Sequence, residues 1–95
     1  MSSQQFETIA RRAEASAAGM TALAQRLRSL GSQALSAIGG TATGEDKAMI
    51  ELAKNAAARS RLAAEAYTQA AQAARRAAAE AAQREAAEKS KRKSR

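Results

Sequence analysis

The chain has 95 residues, 29 of them alanine, with only three Ile, six Leu, three Met, one Phe and one Tyr to build a core, and no Val, Trp, Pro, His or Cys. Alanine favours helix, β-branched residues are scarce, and five glycines with no proline punctuate the chain too rarely for a sheet, so the class is all-α. The formal charge is +7, and the absence of His and Cys excludes an imidazole or thiolate metal site, a Ser-His-Asp or Cys-His nucleophile and a disulfide.

From Phe6 the apolar positions step by three and four through Ile9, Ala13, Met20, Leu23, Leu27, Leu30, Ala34 and Ala37, with Ser16 in the remaining slot. This spacing predicts a helix over 4–37 whose uncharged stripe lies along another helix. Ser2 with Gln5 forms a capping box at its start. Gly31 is expected to mark a bend and Gly19 a close helix approach.

Ile38-Gly39-Gly40-Thr41-Ala42-Thr43-Gly44 is the one clear break in the periodicity, with Gly39 suited to the left-handed conformation that stops a helix. Thr43 stands three residues before Asp46, a second capping box. Glu45 and Asp46 add negative charge at the positive end of a new helix.

The second helix is predicted over 44–88. Its seam steps through Met49, Ala53, Ala56, Ser60, Ala63, Tyr67, Ala70, Ala74, Ala77 and Ala81, beside a parallel stripe of Ile50, Ala57, Ala64, Ala71 and Ala78. So wide a face of small side chains predicts an antiparallel two-helix hairpin that associates, with copies of itself as a homo-oligomer or with a related helical hairpin, into a four-helix bundle or larger assembly. Met20, Leu23, Leu27, Leu30, Met49, Ile50 and Leu52 form the large-aliphatic cluster. They are read either as the hairpin's own core or as its partner interface, with Tyr67 on the same seam.

Charge is uneven along the chain. Residues 38–88 carry seven basic and seven acidic groups, while Lys89, Lys91, Arg92, Lys93 and Arg95 add +5 within the last seven residues. A helical domain over 1–88 is therefore expected to carry a basic, disordered tail over 89–95. Such a tail either solubilises the chain or neutralises phosphate on nucleic acid or an anionic surface without sequence specificity. The opening ten residues have neither the cationic nor the apolar region of a leader, so synthesis in the cytoplasm and any export without a cleaved signal peptide are expected, and no stretch suits a membrane span. Glu7, Glu14, Glu51, Glu65 and Glu80 are isolated on helical surfaces, so no catalytic, cofactor-binding or metal residue is assigned.

A glycine turn near residue 40, between two long, catalytically bare helices, resembles the Trp-x-Gly hairpin family of type VII secretion substrates and their partners. Ile38-Gly39-Gly40 stands at the family's turn, with Ile38 in the tryptophan slot and Gly40 matching. The resemblance implies a secreted substrate, or an escort that pairs with a related hairpin or a larger effector. The family's export signal, a tyrosine followed four residues later by an acidic residue, is absent, because Tyr67 is followed by Ala71. The resemblance then implies a noncanonical member, or one whose export rides on a signal-bearing partner. The competing expectation is a small basic architectural protein that binds DNA or an anionic surface through its tail.

Overall fold

The computed structural model describes residues 1–38 and 43–93. It is a hairpin of two helices, α1 (Ser3–Ile38) and α2 (Gly44–Lys93), with no strand among the described residues.

Both helix starts are closed by their own side chains. At α1 the Ser2 N–H donates to Gln5 Oε1 at 2.8 Å and the Gln5 N–H donates to Ser2 Oγ at 3.2 Å. At α2 the Asp46 N–H donates to Thr43 Oγ1 at 3.2 Å, while the Thr43 N–H and hydroxyl both donate to Asp46 Oδ2, at 3.0 and 2.9 Å. Each cap satisfies orphan N–H groups of a first turn and sets where that helix begins. The ends differ more from expectation. The second helix continues to Lys93, past the boundary at 88, and the segment 89–93 is helical rather than disordered. Nothing in Ala86–Lys93 breaks a helix, and Lys91, Arg92 and Lys93 in the last turn complement its negative end. Ser94 and Arg95 lie outside the described residues, as do Gly39 and Gly40 of the turn motif; Ile38 is the last residue of α1.

The chain divides into two compact units. One comprises Met1–Ser16 and Tyr67–Arg95, the other Ala17–Ala66. In the first, the core is Ala10, Ala71, Ala74, Ala78 and Ala81, all buried, with Phe6 and Ala13 half-buried. In the second it is Ala24, Gly31, Ile50, Ala57, Ser60 and Ala64, with Met20, Leu27, Ala34 and Ala53 half-buried. The buried hydroxyl of Ser60 donates back to the Ala56 carbonyl at 2.9 Å, which satisfies it within its own helix.

This register corrects two expectations. On α1 the inward positions run 6, 10, 13, 17, 20, 24, 27, 31 and 34, so that Ala10, Ala24 and Gly31 are buried where the periodicity pointed to Ile9, Leu23 and Leu30. On α2 the stripe of Ile50, Ala57, Ala64, Ala71 and Ala78 is buried together with Ser60, Ala74 and Ala81 of the seam, whereas Met49, Tyr67 and Ala70 of the seam are exposed. The reading of the large aliphatics as the hairpin's own core therefore fails for Leu23, Leu30, Met49 and Leu52, which are exposed, although it holds for Ile50 and partly for Met20 and Leu27. The physical reason is close approach. Two helices gain many dispersion contacts where their smallest side chains meet, and bulky residues at those positions would force them apart. Gly31, expected to mark a bend, lies buried against Ala53 within the single helix α1, while Gly19, expected at a close approach, has open space around it.

Candidate functional site: an exposed apolar face near the turn

The unit formed by residues 17–66 has an apolar surface left over from its alanine core. Leu30 is 62% exposed on α1, and Met49 and Leu52 are 69% and 68% exposed on α2. Leu30 and Met49 line one groove of about 130 Å³ together with Gly31, Ala34, Asp46, Ile50 and Ala53. Leu23, one heptad before Leu30 on the same stripe, is also exposed. Each wall sets small residues beside larger ones, Gly31 and Ala34 beside Leu30 on α1 and Ala53 beside Met49 and Ile50 on α2.

Asp46 is the single charged residue of that groove. Its carboxylate is engaged by the Thr43 backbone N–H and hydroxyl, which together hold it below the ordinary carboxylate pKa. A charge spent on a helix cap is a poor anchor for a basic ligand, so the groove's chemistry is apolar. A second groove, lined by Leu27, Arg28, Gly31, Ser32, Leu35 and Lys54, carries two cations and is of mixed character. Leu62, also exposed, lines a shallow depression with Ala58, Arg61 and Glu65.

The other unit is built differently. Arg75 donates from Nε to Glu14 Oε1 at 2.8 Å and from Nη2 to the same oxygen. Glu85 accepts from the Ser3 backbone N–H at 2.9 Å and from the Ser3 hydroxyl at 2.8 Å. These two bonds, the backbone one first, lower the Glu85 pKa, with Lys89 and Arg84 adding a smaller effect. Both pairs span the two helices and give this unit a polar rim. Tyr67 sits at its edge, 39% exposed.

The sequence-derived sites thus separate. Leu23, Leu30, Met49 and Leu52 are exposed and Ile50 is buried beneath them, while the tail cations Lys89, Lys91, Arg92 and Lys93 belong to the other unit. The Glu14–Arg75 and Ser3–Glu85 pairs escaped sequence reasoning. Their partners are 61 and 82 residues apart, and pairing them needs the hairpin's register, which periodicity alone leaves open. Among the described residues no group of three or more Asp or Glu side chains is placed to hold a metal ion, and no helix is long and apolar enough to cross a membrane. No protein-family model, curated protein or solved structure matches the chain.

Proposed function

We propose that this chain is a nonenzymatic helix-pairing protein of the type VII secretion type, either a secreted substrate or an escort for a larger secreted effector, that works by laying its turn-proximal face along another helical protein. The observation that carries the pairing is the exposure of Leu30 and Met49 on one groove above a core made largely of alanine. An alanine contributes roughly one methyl of burial, about 0.8 kcal/mol, so such a core is thin, and covering the outer aliphatics supplies what it lacks. The resemblance at Ile38-Gly39-Gly40 supports the secretion context. The test is export from the native cell: the tagged chain is expected in the culture fluid and retained when the secretion ATPase is deleted. Equal amounts outside the cell with and without the ATPase would rule the secretion reading out.

A second reading is favoured by the helical continuation to Lys93. Lys89, Lys91, Arg92 and Lys93 are presented on an ordered helix end, where they can engage the phosphates of DNA or of an anionic surface. Retention on DNA that falls with salt and is lost with residues 89–95 would support it. Retention unaffected by that truncation would remove it.

A further inference from the structure

We infer that the basic end of α2 seats in the major groove of duplex DNA, its outward face toward the bases and one row of cations along each bordering phosphate strand. The inference rests on the second reading, binding through the basic helix end, and names the partner and the manner of contact.

The end of α2 is a free rod. Its inward stripe runs through Ala71, Ala74, Ala78 and Ala81, all buried, to Glu85, which bonds Ser3 at the start of α1. The helix continues to Lys93, and every residue over 82–93 is exposed. At 1.5 Å per residue, about 12 Å of helix therefore projects past that bond. A helix about 10–12 Å across with its side chains fits a B-form major groove about 12 Å wide.

Charge is arranged in two opposed rows around this rod. At about 100° per residue, Lys89 and Lys93 fall on one flank and Arg84 and Lys91 on the other, about 170° apart. Between the flanks, the sector turned away from α1 holds Gln83, Ala87 and Ser90, all uncharged. Glu80, one turn earlier, closes that sector toward the middle of the helix. The acidic residues of the rod, Glu85 and Glu88, lie on the side of α1, with Glu85 held by Ser3. A groove presents phosphates on both sides of what enters it, and two opposed cation rows match that arrangement. Four cations also outweigh the negative charge of about one half at a helix C-terminus.

Other anionic partners fit less well. A lipid surface lies to one side of a helix and is held by large apolar residues, whereas here the cations are opposed and alanine is the sole apolar residue over 82–93. Single strands are held by aromatic stacking, and the same segment has no aromatic residue. Duplex RNA has a major groove too deep and narrow for side chains to read.

The experiment is fluorescence anisotropy of the full chain with a labelled DNA duplex of about 20 base pairs and the same sequence as duplex RNA, over about 50–200 mM salt. Cosedimentation with vesicles containing phosphatidylserine is measured alongside. DNA is expected to bind at least about tenfold more tightly than RNA, with a salt slope of about 3 to 4, as four phosphate contacts give. Lys93→Gln should lower that slope by about one, whereas Arg92→Gln, its neighbour on the α1 side, should leave it unchanged. Equal effects of the two substitutions, or RNA bound as tightly as DNA, overturn the groove seating and leave the basic-end reading standing. Binding to the vesicles in place of DNA does the same. DNA binding that is absent, or unaffected by removal of residues 89–95, overturns both. If a variant loses helical circular dichroism, the comparison of DNA with RNA on the unaltered chain decides the matter.

Discussion

Gly31 of α1 faces Ala53 of α2 so closely that a methyl group on Gly31 would meet the Ala53 Cβ at 3.8 Å. That distance is ordinary van der Waals contact. The position is helical and buried, so the glycine costs helix propensity without being required for space. Gly31→Ala is expected to raise stability by about 0.5–1 kcal/mol, read as a higher melting temperature. Gly19→Ala, with nothing within 4 Å, should do the same. A fall in melting temperature for Gly31→Ala would show that the helices cannot accept even one methyl at this crossing.

Larger additions should fail where the methyl succeeds. Ala57 and Ala71 are buried in the cores of their respective units, and leucine at either would push the helices apart. A loss of about 1–3 kcal/mol is expected for each, measured by chemical denaturation. Leu62→Ala, by contrast, removes an exposed side chain and should change stability by less than about 0.5 kcal/mol.

The ion pair between Arg75 and Glu14 is about half exposed at both side chains. Its removal by Arg75→Ala should cost at most about 1 kcal/mol at low salt and less as salt rises. A double-mutant cycle with Glu14→Gln isolates the coupling; a value that is independent of salt would contradict the exposure.

Acid should weaken the hairpin through Glu85 and Asp46. The Ser3 backbone N–H and hydroxyl favour the charged form of Glu85, and the Thr43 pair does the same for Asp46, so both folded-state pKa values lie below those of the unfolded chain. A depressed carboxylate contributes stability that is present above its unfolded pKa and lost as pH falls through the folded one. The melting temperature is therefore expected to drop as pH falls below the ordinary glutamate value of 4.5, and Glu85→Gln should flatten part of that drop. Equal acid sensitivity in wild type and Glu85→Gln would assign the effect to other carboxylates.

The fold was largely legible in the residues, and the site only in part. Ser2 with Gln5 and Thr43 with Asp46 are short-range patterns, and both capping boxes form where they are read. The inward register is another matter. With alanine at so many positions the apolar stripe is wider than one helix contact, so hydrophobicity cannot decide which edge points inward. Leu23 and Leu30 mark the more hydrophobic edge, whereas the helices approach along Ala24 and Gly31, the smaller one. The same residues that mislead about the core are those that mark the exposed face. The helix end at Lys93 was hidden by charge, because a run of lysine and arginine suggests disorder although every residue in it tolerates a helix.

The bond from Ser3 to Glu85 ties the first turn of the chain to a point about two turns before the end of α2. Anything attached ahead of Ser3 is consequently presented alongside the last turns of α2. Two halves of a split reporter, one at each end, would meet within a single chain. Their signal would report hairpin closure and would be blind to association. Reporters of association belong near the turn, at the opposite limit of both helices.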